Sequence, residues 1–265
     1  MKNMNLCHDF RYGKIMYNNL DQYVGKSLKL YGEFSQREAD AFEQMIFPGD
    51  CVVEVGANIG AHTVHLAQIV GDAGVVWAFE PQRLVFQLLA GNIAINGLRN
   101  VYCRQNCVSD QPGIIKVPVL DAEKIQNWGG VSMLNNPEGE PVEAVTLDSL
   151  NLPRCDFLKI DVEGMELQVL EGASHLIDRC QPIIYTEISG IRKNNQSVFS
   201  YLWKKGYHIY EHTPPLYNPD NYFGNPEDVF LIDGKHIVSY NAICLPEASR
   251  ITLDGAAETT PDDLR

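Results

Sequence analysis

Long apolar segments are missing from this 265-residue sequence. No stretch approaches the roughly 20 consecutive apolar residues that a membrane-spanning helix needs. The first ten residues, MKNMNLCHDF, contain no apolar region of the kind that secretory signal peptides carry. These two absences predict a protein that has no membrane partner and no cleaved signal peptide.

Paired cysteines are missing as well. The seven cysteines are scattered along the chain, and none of them forms a C-x-x-C pair. An odd, unpatterned set is not a disulfide framework and is typical of proteins kept in a reducing compartment. We therefore predict a cytoplasmic location.

An excess of positive charge is the third absence. The chain has 21 Lys and Arg against 34 Asp and Glu, which gives a formal net charge of −13. A surface with this balance does not hold a polyphosphate by general attraction, so we predict no nucleic-acid partner. The hydrophobic content of 45% is still enough to build one sizeable core.

What the sequence does contain is a repeated alternation of strand-like and helix-like segments. Such alternation predicts an α/β protein with a mostly parallel, doubly wound sheet and helices on both faces. The predicted strands are 51–55, 75–79, 101–105, 156–161, 182–187, 207–211 and 229–232. The predicted helices are 60–70, 82–96, 165–177 and 197–205.

The flanking segments differ from this pattern. Residues 1–45 show no clear strand, and S-x-x-E from Ser35 predicts a capping box that opens a helix. We therefore expect an N-terminal helical lid (1–45) and a main domain (46–245). Residues 112–145 interrupt the alternation as an inserted hairpin or flap, and the polar tail 246–265 is expected to be disordered.

Two carboxylates follow the predicted strand 156–161. Asp161 ends this strand, and Glu163 stands just before the next helix, which is where open α/β sheets keep their ligand sites. Buried carboxylates cost several kcal/mol each unless they are paired or ligated. Lys159 is a candidate counter-charge, although strand alternation could place it on the opposite face. A salt-bridged turn without any ligand is the alternative.

A glycine loop and a second acidic strand end lie nearer the N-terminus. Gly56 and Gly60 form G-x-x-x-G, which differs from the G-x-G-x-x-G that dinucleotides require. Glu54 before the loop would repel a pyrophosphate but suits a ligand with a cationic amino group. Glu80 ends the next strand and can accept hydrogen bonds from both hydroxyls of a ribose.

Four motifs together resemble the FkbM type of S-adenosylmethionine-dependent methyltransferase. They are E-V-G-A-N-I-G-A-H-T (54–63), A-F-E-P (78–81), N-I-A-I-N (92–96) and F-L-K-I-D-V-E-G-M-E (157–166). The resemblance covers roughly residues 30–235. It implies a Rossmann-like class I methyltransferase fold with a seven-stranded sheet, and methyl transfer to an oxygen of a small molecule or sugar-containing product.

The resemblance also implies a cofactor site. Residues of the glycine loop would surround the methionine part, Glu80 would hold the ribose, and residues 106–109 would flank the adenine. Thr63 is expected to meet the carboxylate of the cofactor with its hydroxyl. The expected cofactor residues are Glu54, Gly56, Ala57, Asn58, Gly60, Thr63, Glu80, Pro81, Asn106, Val108 and Ser109.

Asp161 is the first candidate for orienting or deprotonating the acceptor hydroxyl. Glu163 or Glu187, which ends the strand 182–187, could share this role. The same carboxylates could instead ligate a divalent metal, for which hard oxygen ligands favour Mg²⁺ or Ca²⁺ over Zn²⁺. Two other functions stay open, namely an NAD-dependent oxidoreductase and a non-catalytic binding protein that keeps the fold.

The acceptor is expected to be a sugar or another small hydroxylated molecule, held by loops that cover the carboxyl edge of the sheet. Aromatic residues gather in two such segments, with Tyr17, Tyr23, Tyr31 and Phe34 in the first and Tyr217, Tyr222 and Phe223 in the second. The segment 128–132 is a candidate mobile flap. His62 and His65 are interpreted as helix surface and packing.

Overall fold

A computed structural model describes residues 4–130, 139–253 and 255–264. Strands and helices make up similar shares of its regular structure, and one large sheet collects eight of the strands. The strands of the described part are β1 (Asn5–Phe10), β2 (Gly13–Asn18), β3 (Cys51–Val55), β4 (Val75–Phe79), β5 (Val101–Arg104), β6 (Cys107–Val108), β7 (Gly113–Val117), β8 (Glu140–Val145), β9 (Phe157–Ile160), β10 (Ile183–Glu187), β11 (Tyr207–His212), β12 (Leu231–Ile232), β13 (Lys235–His236), β14 (Asn241–Pro246) and β15 (Glu258–Thr259).

Helices connect the strands of the large sheet and cover its faces. The α-helices of the described part are α1 (Val24–Tyr31), α2 (Gln36–Met45), α3 (Ala61–Val70), α4 (Arg83–Ile95), α5 (Glu166–Glu171), α6 (Ser174–Cys180) and α7 (Gln196–Lys204). No helix among the described residues has both the length and the apolar character that crossing a membrane requires.

The large sheet has the order β15-β11-β14-β10-β9-β3-β4-β5. Strands β5, β4, β3, β9 and β10 run parallel, whereas β14 is antiparallel to β10 and β11. The predicted mostly parallel α/β sheet is thus confirmed, and the two-residue β15 adds an eighth strand to the seven expected. Strand order reverses between β3 and β9, which is the switch point where such sheets bind ligands.

Both faces of the sheet are buried under helices. Because side chains alternate along a strand, Val53 and Leu158 contribute to the core on one face, while Val52 and Phe157 contribute to the core on the other. All five residues of β3 are buried. Burying each large apolar side chain is worth about 1.5 to 3 kcal/mol, so this central strand is held from both sides.

The N-terminal segment differs from the prediction of a purely helical lid. Strands β1 and β2 form an antiparallel hairpin before α1. Ile15 and Tyr17 are buried, and Asn92 on α4 fixes the hairpin by bonding the backbone of Met16 in both directions. Only three residues of the hairpin, Phe10, Ile15 and Tyr17, are buried apolar positions, and the hairpin is anchored by an asparagine 76 residues away, so no strand pattern could be recognised in the sequence.

Helix α2 begins at Gln36, as predicted, but without the expected capping box. The Ser35 hydroxyl donates to the Glu38 carboxylate at 2.7 Å and accepts no backbone N–H of the helix. The predicted helix 165–177 is interrupted after Glu171. At Gly172 a Cβ atom would lie 2.0 Å from the carbonyl oxygen of Ser109, so this close approach requires a glycine and divides the segment into α5 and α6.

The C-terminal part corrects two further expectations. Of the predicted strand 229–232, only Leu231–Ile232 is extended, and it pairs with β13 in a small hairpin away from the large sheet. The strand that enters the sheet is β14, whose six residues are all buried. The tail expected to be disordered contributes β15, which pairs with β11.

The segment that interrupts the alternation forms a small sheet of its own. Strands β7 and β8 pair antiparallel, and β8 also pairs with β6. The short strand β6 follows β5 after two residues, so this sheet stands beside the carboxyl edge of the large one. Its position makes it a side wall of the crevice at that edge.

Candidate active site

A cavity of about 290 Å³ opens at the carboxyl ends of β3, β4, β9 and β10. A narrower cleft continues from it between the ends of β4 and β6. The strand-end side chains that line the cavity are Glu54, Glu80, Lys159, Asp161, Glu163 and Glu187. The carboxylates predicted from three motifs and from the end of the strand 182–187 therefore meet at one place.

The loop after β3 is held against both neighbouring strands. The backbone N–H groups of Gly56 and Ala57 both donate to the carbonyl of Phe79 at 2.9 Å. Gly56 has φ +82°, and a Cβ atom there would lie 1.8 Å from the carbonyl oxygen of Asp161. Only glycine allows this approach, so the loop and the end of β9 come together in contact.

Glu80 is 5% exposed and rigidly oriented. One carboxylate oxygen accepts the backbone N–H of Asn58 at 3.0 Å, and the other accepts that of Gln82 at 2.8 Å. Burial raises the pKa of Glu80 to about 7, against the lowering effect of these two donors. Each oxygen keeps a lone pair with which it can accept a further hydrogen bond.

Glu54 and Lys159 stand opposite each other across β3 and β9. Lys159 Nζ lies 3.1 Å from Asp161 Oδ2 and 3.9 Å from Glu54 Oε1, which confirms that it faces the acidic strand ends. Thr63 donates its hydroxyl to Glu54 at 2.6 Å. Burial raises the pKa of Glu54 to about 7. Burial disfavours the charged form of Lys159, but Asp161 and Glu54 outweigh it and raise its pKa, so the lysine stays charged.

Asp161, Glu163 and Glu187 form a tight acidic group. Each contributes an oxygen, and these oxygens all lie within 4.8 Å of one another. Burial and the charge of Asp161 raise the pKa of Glu163 to about 7, and the same two causes raise the pKa of Glu187 far above its usual value. Three like charges at this spacing repel strongly, so the group holds protons or a bound cation.

The narrower cleft has apolar walls. Phe79, Pro81, Val108 and Met165 are among its lining residues. Asn106 stands at its edge and donates to the Glu143 carboxylate at 3.0 Å. An apolar cleft with a polar side chain beside it suits an aromatic ring that carries polar groups.

Most residues predicted to bind the cofactor line the cavity or the cleft. They are Glu54, Gly56, Ala57, Asn58, Glu80, Pro81, Asn106 and Val108. Three others lie behind the lining. Gly60 is the N-cap of α3, the Thr63 hydroxyl is directed to Glu54, and Ser109 bonds Asp110. Thr63 therefore orients Glu54 instead of presenting its own hydroxyl to a ligand.

His62 lines the cavity, in contrast to its interpretation as helix packing. The side chain is 8% exposed, and Nε2 has no hydrogen-bond partner among the described residues. Its nearest recorded carboxylate oxygen is Glu38 Oε2 at 3.9 Å. Burial, and then the charge of Lys159, hold the pKa of His62 well below its usual value, so the ring is neutral at pH 7. Its place in the first turn of α3, two residues after Gly60, is the signal from which its position at the cavity could have been predicted.

The aromatic residues separate into lining and support. Tyr23 and Phe34 line the cavity, whereas Tyr17 and Tyr31 are buried in core clusters. The aromatic residues predicted in the second segment do not line the cavity, and nearby residues that were not predicted line it instead. Tyr217, Tyr222 and Phe223 do not line the cavity, and Leu216, Ile237, Val238, Ser239 and Tyr240 do.

The described part of the proposed flap is packed against the cavity. Trp128 is 2% exposed and belongs to the same apolar cluster as Ala57 and Val85. Gly129 and Gly130 line the cavity, and both donate their backbone N–H to the Asn127 side chain. Val131 and Ser132, the rest of the predicted flap, lie outside the described residues.

Comparison with known proteins connects this site to one family. The model of the methyltransferase FkbM domain matches residues 54–209. A protein named Methyltransferase 1 from Beauveria bassiana (strain ARSEF 2860) is 23% identical over 228 residues, which covers 75% of this chain and 90% of the relative. Methyltransferase sdnD from Sordaria araneosa is 24% identical over 193 residues, covering 54% of this chain and 71% of that protein.

Solved structures show weaker likeness. Methyltransferase FkbM from Methylobacillus flagellatus KT has a TM-score of 0.49 at 16% identity, covering 84% of this chain and 55% of that one. Aeropyrum pernix fibrillarin with natively bound S-adenosyl-L-methionine has a TM-score of 0.48 at 11% identity, covering 92% and 84%. The domain match alone spans more than half of the chain and includes both the glycine loop and Asp161. The protein therefore belongs to the FkbM family of S-adenosylmethionine-dependent methyltransferases.

Proposed function

We propose that the protein methylates a hydroxyl oxygen of a small molecule, such as a sugar or another hydroxylated metabolite, and that Asp161 orients or deprotonates this hydroxyl. The observation that carries the proposal is the exposure of the Asp161 carboxylate together with its contact with Lys159. Its side chain is 44% exposed at the cavity while Lys159 fixes one oxygen at 3.1 Å. A group that is both fixed and accessible is placed to receive a proton.

The donor set fits S-adenosylmethionine, which supplies a methyl group on a positively charged sulfur. Glu54 offers a buried negative charge to the ammonium group, and Glu80 offers two oriented oxygens to the ribose hydroxyls. The apolar cleft with Asn106 at its edge suits the adenine. Gly56, Ala57 and Asn58 would pass close to the methionine part, and Pro81 and Val108 would contact the ring.

Asp161 is positioned through its neighbours. Because Lys159 donates to Oδ2, Oδ1 stays available to accept the hydrogen of an acceptor hydroxyl. Glu187, protonated at neutral pH, can donate a hydrogen bond in the same group, and Glu163 can accept or donate according to pH. Correct placement of a proton acceptor in this way is typically worth about 10² to 10⁴ in rate.

A bound divalent cation is the alternative way to compensate the acidic group. Three carboxylate oxygens within 4.8 Å of one another form a hard ligand set that favours Mg²⁺ or Ca²⁺. Dialysis against EDTA, followed by addition of MgCl₂, separates the two arrangements. Turnover that is unchanged after EDTA treatment would exclude a required cation. Turnover that is lost after EDTA and restored by MgCl₂ would support a bound cation.

Membership in a methyltransferase family argues against an NAD-dependent oxidoreductase. A measurement of methyl transfer then distinguishes an enzyme from a non-catalytic binding protein. Transfer of a labelled methyl group is measured over a panel of hydroxylated metabolites, together with the affinity for S-adenosylhomocysteine by calorimetry. Asp161→Asn should lower kcat by about 10² to 10⁴ and change the Kd of S-adenosylhomocysteine no more than about threefold.

Asp72→Asn on the exposed loop after α3 is the matched control and should behave as the unaltered protein. Near-normal turnover of Asp161→Asn would remove this residue from the proposed role. Cofactor binding without methyl transfer to any panel member would favour the binding protein.

A further inference from the structure

The half of the cavity that faces away from the cofactor residues is built from segments outside the family-matched range 54–209. Tyr23 and Phe34 come from the first segment, and Leu216, Ile237 and Tyr240 come from the second. We define residues 20–34 and 214–240 together as the cap. The cap therefore forms the part of the cavity wall that lies outside the matched domain.

The two segments of the cap form one packed unit. Tyr31 donates its hydroxyl to the carbonyl of Glu227 at 2.9 Å and accepts the backbone N–H of Val229 at 2.8 Å. Glu33, which is 3% exposed, accepts from the Asn218 side chain and from the Tyr222 backbone, both at 2.9 Å. These buried contacts fix the inner surface of the cap, so its shape is a property of the folded protein.

The inner surface is apolar and aromatic, whereas the facing wall is acidic. Ile237 and Leu216 present aliphatic side chains, and Tyr23, Phe34 and Tyr240 present rings. The facing wall carries the Asp161, Glu163 and Glu187 group. A molecule between the two surfaces needs an apolar body and a hydroxyl that can reach the acidic wall.

Among the described residues that line the cavity, no side chain offers an unpaired positive charge to an anion. Lys159 is 2% exposed and already paired with Asp161 and Glu54. His62 is neutral and provides a polar atom without a net charge. A phosphate or sulfate on the acceptor would therefore find no unpaired cation among these residues to offset the loss of its hydration.

We infer, on the basis of the proposed function, that the acceptor is an uncharged hydroxylated molecule with an apolar face bound under the cap, and that the site rejects phosphorylated acceptors and nucleic acids. Tyr240 is a specificity-determining residue of this site. Tyr240 lines the cavity, and its backbone carbonyl accepts the N–H of Ile188, the residue after β10, at 2.8 Å.

Two fluorescent probes with the same ring test this inference. 1-Naphthol has an uncharged hydroxyl on an apolar body, and 1-naphthyl phosphate replaces the hydroxyl by a dianion. Both are titrated against the full chain saturated with S-adenosylhomocysteine, which keeps the probes out of the adenine cleft. We expect saturable binding of 1-naphthol and binding of the phosphate that is at least about tenfold weaker.

Tyr240→Ala and Tyr222→Ala form a matched pair. Both tyrosines belong to the cap and are similarly exposed, at 43% and 48%, but only Tyr240 lines the cavity. Tyr240→Ala should raise the Kd of 1-naphthol about five- to tenfold, and Tyr222→Ala should leave it unchanged. Thermal unfolding and S-adenosylhomocysteine binding of each variant show that the fold and the cofactor site persist.

Three results would overturn the inference. They are equal or tighter binding of 1-naphthyl phosphate, no saturable binding of 1-naphthol, and displacement of 1-naphthol by a short single-stranded RNA. Because the readout is binding, failure here is independent of whether Asp161 transfers a proton. Loss of turnover in Asp161→Asn with no probe discrimination would keep the proposed function and reject only this acceptor class.

Discussion

The strand-end residues proposed to bind the cofactor, here called the cofactor side, face the cap across one cavity. The chain encodes the two regions differently. On the cofactor side, each functional group follows a strand within a few residues, as Glu80 follows β4 and Asp161 follows β9. In the cap, the decisive contacts join residues about 200 positions apart, such as Tyr31 with Glu227. Local spacing therefore specifies the first region, and tertiary contact specifies the second.

The two regions also differ in how they use charge. Beneath the cofactor side, Lys159 is buried among carboxylates at the switch point of the sheet. In the cap, the buried Glu33 accepts hydrogen bonds from a guanidinium, an amide side chain and a backbone N–H. The first arrangement gathers charged groups at the cavity, while the second holds a wall of the cavity in place. A substitution can disrupt either arrangement and leave the other intact.

Replacing Lys159 should give the largest effect. Lys159→Met leaves Glu54 and Asp161 without their shared cation, and breaking a buried ion pair from one side costs about 3 to 5 kcal/mol of unfolding free energy. Urea denaturation at pH 7.5 measures this loss. Methyl transfer should fall as well, because Asp161 loses the contact that positions it.

Lys124→Met is the matched control. Lys124 pairs with Asp121 at 2.9 Å on the surface, where such a pair is worth less than about 1 kcal/mol. Equal destabilisation of the two variants would contradict a special role for the buried lysine.

Much of the cofactor side could be predicted from sequence because its signals are local. The alternation of strands and helices predicted the bounds of β3, β4, β9 and β10 to within a residue or two. The acidic residues at the ends of these strands could then be identified as site candidates. Gly56 was predicted to turn the backbone, but its contact with the Asp161 carbonyl needed the folded neighbour.

The acceptor side could not be predicted in the same way. Aromatic clustering correctly predicted that Tyr23 and Phe34 line the cavity. It could not distinguish them from Tyr31, because Tyr31 lies in the same aromatic stretch of sequence but is buried in the core. Ile237 and Tyr240 follow a short hairpin that has no repeating pattern. Strand β14 was missed because a fully buried strand lacks the alternation that marks a half-exposed one.

Glu33 tests the cap with an intermediate effect. Glu33→Gln keeps the size of the side chain but weakens the charge-assisted bonds from Arg11 and Asn218, at about 1.5 to 3 kcal/mol in total. Hydrogen exchange of the Tyr222 and Val229 amides should quicken, while the Kd of S-adenosylhomocysteine should stay within about twofold.

The exposed Glu123 provides the control substitution Glu123→Gln, which should change neither quantity. Loss of cofactor affinity in Glu33→Gln without faster exchange in the cap would show that the two regions are coupled and would contradict their separation.

The smallest effect is a pH dependence confined to the cofactor side. Burial raises the pKa of both Glu54 and Glu80 to about 7, so both gain protons as the pH falls from 8 to 6. A protonated Glu54 no longer attracts an ammonium group, and the complex must release that proton to bind well. Calorimetry should show a Kd for S-adenosylhomocysteine that is about tenfold higher at pH 6 than at pH 8.

Two variants assign this dependence to its source. Glu54→Gln removes the titrating group, so its Kd should be high at both pH values and change little between them. Glu33→Gln alters only the cap and should keep the full dependence. A Kd that is the same at pH 6 and pH 8 in the unaltered protein would mean that Glu54 does not face the ammonium group. The described cap residues that line the cavity include no Asp, Glu, Lys, Arg or His. A pH dependence lost in Glu33→Gln would therefore mean that the cap and the cofactor side are coupled through their packing, and would contradict the assignment of the dependence to Glu54 alone.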